Sequence, residues 1–159
     1  MLKKVVFILC LLLLPITIAR AYPNEPNGYA SLYWGESVGQ VQLNYNISYL
    51  RYTNRGNAYL VTIPNANGEL GMLGQVSIIC YFDNTNSLRS ITIFMPRAGY
   101  QVESTFYDCI RDIADTCGAP TMRNGAAVWS GNQTMMAVTK KPDTVTIELM
   151  QTSYIGSLR

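Results

Sequence analysis

The chain has 159 residues, with 12 lysines and arginines against 10 aspartates and glutamates, and it contains no histidine. A Ser-His-Asp or Cys-His nucleophile and any imidazole metal site are therefore excluded. The sequence also lacks C-x-x-C and both glycine-rich phosphate loops, G-x-G-x-x-G and G-x-x-x-x-G-K-[ST], so nucleotide-dependent chemistry has no support.

Lys3 and Lys4 precede an apolar run over residues 5–19, and Ala19-Arg20-Ala21 supplies the small-x-small pattern of a signal-peptidase site. The run is about 15 residues, short of the roughly 20 that span a bilayer, and Pro15 interrupts it. Cys10 lies inside the run behind Leu9, which argues against a lipid-modified cysteine. The expectation is a signal peptide over residues 1–21 and an exported protein, periplasmic or extracellular, that starts at Tyr22 and keeps no membrane anchor. Loss of Lys3, Lys4 and Arg20 leaves nine basic residues against 10 acidic ones, a net charge of −1. Such a balance argues against nucleic acid or an anionic membrane surface as partner. The remaining 138 residues suit one domain with a real core.

Residues 22–31, with Pro23, Pro26 and Gly28, read as an extended lead-in. Ser37 followed by Gln40 matches a capping box, and Val38, Val41 and Tyr45 share one face, which predicts a helix over 37–45. Residues 47–52 alternate loosely and suit a strand, and 58–63 form a clearer one before Pro64, Asn65, Asn67 and Gly68 break it. Two β-branched and aromatic runs, 75–82 and 88–95, flank Asp83-Asn84-Thr85-Asn86-Ser87, whose side chains favour a turn. That hairpin is the clearest sheet signal in the chain, and its apolar residues on both faces suit a central, covered strand pair.

Residues 101–117 form the strongest helix signal. At about 100° per residue, Phe106, Ile110, Ile113 and Cys117 fall within about 40° of one another, with Cys109 at the rim. Gly118 followed by Pro120 stops it. Strands are expected over 126–130, 133–140 and 144–150, and residues 153–159 are expected to fray. The fold class is α+β: two degenerate α-β-β-β units, halves 32–96 and 100–151 of a single domain over 32–152, with helices packed on antiparallel sheet.

Three cysteines survive cleavage. Cys109 and Cys117 lie about 12 Å apart along one helix, too far to bridge. Any disulfide must then join Cys80 with Cys109 or Cys117; three small buried, unbridged cysteines are the competing and slightly favoured reading. Asp108, Asp112 and Asp115 share the polar side of the second helix, where a solvated face competes with carboxylate catalysis. The 83–87 turn has alternating oxygens but lacks the glycine and distal glutamate of a calcium loop, so no metal site is expected, and no cofactor. The binding candidates are aromatic: Tyr33, Trp34, Tyr49, Tyr52 and Trp129, with core roles as the competing reading for both tryptophans.

Tyr33-Trp34-Gly35-Glu36-Ser37-Val38 opening a helix, then a meander, then a helix ending Cys117-Gly118-Ala119-Pro120 before the Trp129 strand, carries a resemblance. It is similar to small exported bacterial proteins of unknown function that begin W-G-x-S. At fold level it also resembles the tandem α/β modules of the β-lactamase-inhibitor-protein-like and outer-membrane-assembly-lipoprotein type. The resemblance implies action by binding proteins and carries over no catalytic residue; the lipidated cysteine of the assembly lipoproteins is absent here. The expected function is a non-enzymatic exported module that binds a protein or envelope component. A small carboxylate-dependent hydrolase and a purely structural envelope protein are the alternatives. Oligomeric state is left open.

Overall fold

The computed structural model describes residues 22–63 and 76–155. The expected signal peptide, the loop expected after Pro64 and the last four residues lie outside the described residues. Within them the period-2 segments assemble into one antiparallel sheet of eight strands, and the α+β class holds.

A small hairpin comes first: β1 (Gly28–Tyr29) pairs with β2 (Leu32–Tyr33). Helix α1 (Val38–Asn44) follows. Its capping box forms as expected: Ser37 Oγ accepts from Gln40 N at 3.3 Å and Gln40 Oε1 from Ser37 N at 2.8 Å. Four strands then meander: β3 (Asn46–Thr53), β4 (Gly56–Thr62), β5 (Ser77–Phe82) and β6 (Leu88–Pro96). Helix α2 (Gln101–Cys117) occupies the expected span and ends at Gly118, whose φ of +79° is a positive value that glycine adopts without strain. Four more strands complete the chain, β7 (Thr121–Arg123), β8 (Ala126–Ser130), β9 (Thr134–Lys141) and β10 (Thr144–Gln151), and a helical turn α3 (Thr152–Ile155) closes it.

The sheet order is β3-β4-β5-β6-β10-β9-β8-β7, so the two meanders join through their last strands. Four strands follow each helix rather than three. The loose run at 47–52 is β3, and β7 is a short edge strand whose three residues are all exposed. The start of the C-terminal tail is also ordered. Residues 152–155 make the turn α3, and Thr152 N donates to Gln133 O at 2.7 Å.

Register shows what fills the core. One row across the sheet runs Val61, Ile78, Ile93, Ile147, Val138 and Ala127; the next runs Tyr59, Cys80, Ile91, Leu149, Met136 and Trp129. Both rows belong to the single buried cluster, with Tyr59 packed against its edge, together with Val38 and Val41 of α1 and Val102, Phe106, Cys109, Ile113 and Cys117 of α2. Each large side chain buried this way contributes about 1.5–3 kcal/mol. The α2 stripe matches expectation with one shift: Cys109 is fully in the core, and Ile110 sits at its margin.

The lead-in is not a loose extension. The Glu25 carboxylate accepts backbone N–H groups from Asn132 at 3.1 Å, Gln133 at 2.5 Å and Thr134, all in the β8–β9 turn. Gly131 leaves the necessary room, because a Cβ there would collide with that carboxylate. Tyr22 Oη donates to Thr134 O at 3.0 Å, and Thr134 Oγ1 donates to Pro26 O while accepting from Trp34 Nε1 at 2.7 Å. Residues 22–34 thereby clasp the second meander onto the first helix.

Candidate functional site

The aromatic candidates do not converge. Trp129 is 2% exposed and donates its indole N–H to Gly118 O at 2.7 Å, which makes it a core anchor between β8 and the end of α2 rather than a binding residue. Trp34 is partly buried and tied to Thr134. Tyr33, Tyr49 and Tyr52 are exposed, but Tyr33 lies in the β1–β2 hairpin while Tyr49 and Tyr52 lie on the edge strand β3. Tyr49 stacks edge-on against Tyr59 at 5.3 Å, and Tyr59 against Phe82 at 5.4 Å, so its ring also closes the open end of the core.

Cys80, Cys109 and Cys117 are free and buried, and the bridge from Cys80 does not form. The topology explains this. Cys80 sits on β5 in the first meander, whereas Cys109 and Cys117 ride on α2, which packs over β9 and β10 in the second. Burial raises the pKa of all three thiols, that of Cys109 to about 11, so none is a thiolate nucleophile near neutral pH. Cys109 instead contacts Met95 Sδ at 4.0 Å, and Cys117 donates weakly to Asn24 O at 3.7 Å.

Asp108, Asp112 and Asp115 face solvent on α2. Arg111 pairs with Asp108 at 2.9 Å and Asp112 at 3.2 Å across exposed surface, where ion pairs contribute little. In the 83–87 turn, Asp83 Oδ1 accepts from Thr85 N at 2.8 Å, Thr85 Oγ1 at 2.6 Å and Ser87 N at 3.1 Å, and Oδ2 from Arg89 Nε at 2.7 Å. Partial burial pushes this carboxyl up, but the bonds from Thr85, Arg89 and the Ser87 amide outweigh it and hold Asp83 at about 2. Its oxygens are occupied by the turn itself.

Two other features present themselves for binding. The first is the sheet face opposite the core, on which no described helix lies. Its rows run Leu60, Ile79, Thr92, Glu148, Ala137, Val128 and then Ala58, Tyr81, Ser90, Met150, Met135, Ser130. Phe94 and Thr146 open a third row. Leu60, Ile79, Tyr81, Phe94, Val128 and Met135 are half-buried and belong to no part of the core cluster. At the centre Thr92 is 2% exposed, and its hydroxyl has no hydrogen-bond partner among the described residues. Arg55 spans this face, 3.4 Å from Glu148 and 5.7 Å above the Tyr81 ring.

The second is a cleft of about 480 Å³ where the β3–β4 turn, the β5–β6 turn and α3 meet. Tyr52, Asn54, Asp83, Asn84, Arg89 and Tyr154 line it. Of these, only Tyr52 was a candidate from sequence. Asn54 and Asn84 are ordinary turn residues by composition, and nothing local reveals that β4 and β5 carry their two turns side by side. No family model, curated protein or solved structure matches the chain.

Proposed function

We propose that the chain is an exported, non-enzymatic binding module that docks a protein or envelope component on the helix-free face of its sheet. One observation carries this reading. Apolar side chains from β4, β5, β6, β8 and β9 stand half-exposed on that face, around a buried Thr92 hydroxyl left without a partner. An unpaired buried hydroxyl costs about 1–3 kcal/mol, which a docked group could recover. Half-exposed apolar side chains grouped on one face in this way favour an interaction site. The leader over residues 1–21 and the W-G-x-S resemblance point towards export, and nothing in the charge balance favours nucleic acid. The hydrolase alternative has less support, because Asp108 and Asp112 stand paired with Arg111 on open surface and Asp115 is exposed beside them. We further infer that the two helix-plus-meander halves are degenerate copies of one unit, a reading that rests on their shared element order and on the mirrored strand order about β6 and β10.

Photo-crosslinking in the native host tests the docking reading. A crosslinker placed at Ile79, Phe94 or Val128 should capture one and the same partner, and one at Asp108 or Asp115 should capture none. Equal capture from both sides, or none from the sheet face, would overturn it.

A further inference from the structure

We propose that the cleft between the β3–β4 turn, the β5–β6 turn and α3 binds a neutral saccharide. The inference uses none of the docking residues of the sheet face and stands or falls independently of that reading.

The chemistry of the lining selects the ligand class. Asp83 and Arg89 bring opposite charges that cancel, and both are committed to the protein. The Asp83 oxygens receive Thr85, Ser87 and Arg89, which leaves little for a cation. Arg89 gives Nε to Asp83 and Nη1 to Gln151 Oε1 at 2.6 Å, which fixes its guanidinium and blunts its attraction for an anion. By contrast, the side-chain amides of Asn54 and Asn84 and the hydroxyl of Tyr52 make no hydrogen bond with the described residues, and all three side chains are exposed. Each amide offers one acceptor and two donors, a match for the paired donor and acceptor character of sugar hydroxyls. Tyr52, 63% exposed, adds an aromatic ring that the C–H face of a pyranose can cover. An apolar ligand would strand the amides. A neutral polyhydroxylated ring with one apolar face satisfies them and the tyrosine together. The volume lies within the range of about 300–1,000 Å³ typical of small-ligand sites.

The turn geometry fixes the backbone that carries these groups before any ligand arrives. The Asp83–Ser87 loop is closed by Asp83 N to Ser87 O at 3.0 Å and Asn86 N to Asp83 O at 2.9 Å, and Tyr154 Oη donates to Arg55 O at 3.2 Å, which ties α3 to the β3–β4 turn. Such preorganisation lowers the ordering cost of binding.

The test is an amide NMR titration of the purified protein with cellotriose, maltotriose and the trimer of N-acetylglucosamine, run beside calcium chloride, inorganic phosphate and tetra-alanine. The expected result is a saturable millimolar response to at least one saccharide, centred on Tyr52, Asn54, Asn84 and Tyr154. The Asn54→Ala/Asn84→Ala double variant should weaken it by about tenfold with an unchanged melting curve. Failure of every saccharide to saturate overturns the proposal. So does a stronger response to calcium, phosphate or the peptide, or a response centred on Ile79 and Phe94.

Discussion

The two faces of the sheet are built from neighbouring residues and have different compositions. One row under the helices reads Val61, Ile78, Ile93, Ile147, Val138 and Ala127; the row one residue away along each strand reads Leu60, Ile79, Thr92, Glu148, Ala137 and Val128. On the covered side apolar character runs unbroken across the sheet. On the other it is interrupted at the two central strands, where threonine and glutamate replace isoleucine. A sheet buried equally on both sides would carry β-branched apolar residues in both rows. The interruption at β6 and β10 therefore breaks the apolar layer on this face, even though Ser90, Thr92, Thr146 and Met150 are buried there.

The largest test of this difference compares one ring from each side. Trp129→Ala removes a fully buried indole and its bond to Gly118 O, and should cost about 3–5 kcal/mol in urea denaturation. Phe94→Ala on the helix-free face should cost about 1 kcal/mol. Equal losses would show that the second face is also packed, and the docking reading would lose its surface.

A smaller effect is expected where the covered face is closed off by the lead-in. Glu25→Ala strips three backbone N–H groups of the β8–β9 turn of their acceptor. The expected loss is about 1–3 kcal/mol. Amide exchange should quicken at Asn132, Gln133 and Thr134 while the β5–β6 amides keep their protection. Exchange spreading through both meanders instead would mean that the clasp supports the whole sheet rather than one half.

The regular elements were legible because period and punctuation agreed. The capping box at Ser37, the Gly118 stop and the 83–87 turn each have a local chemical cause, and each stands where the sequence placed it. What was missed lacked such a cause or hid it. Ala30 and Ser31 turn the β1–β2 hairpin at φ of 48° and 64° without a glycine to announce the left-handed pair. The β7–β8 turn did carry its signal, Asn124-Gly125 with both φ positive, but β7 has no apolar alternation beside it. The Glu25 clasp joins residues more than a hundred positions apart, and the cleft gathers two turns and a tail. Pairings of that range follow from strand order, which no local pattern of apolar residues determines. The choice between the two readings of the cysteines was hidden for the same reason: helix geometry excluded the Cys109–Cys117 pair, but only the strand order separates Cys80 from both.

The finest test of the two faces is a single atom. Thr92 lies beside Ile93 in sequence and points the opposite way, towards Ile79 and Glu148 in its row, with its hydroxyl buried and unpaired. Thr92→Val keeps the branched shape and removes the orphan oxygen, so the isolated protein should gain up to about 1 kcal/mol in urea denaturation. A partner that hydrogen-bonds this hydroxyl would turn the sign around: the same variant should fold more stably and bind more weakly. A purely solvated face, with water serving Thr92, predicts no gain in stability and no loss of crosslinking from Ile79. Opposite signs in the two measurements would single out Thr92 as a polar group kept for a ligand at the expense of the fold.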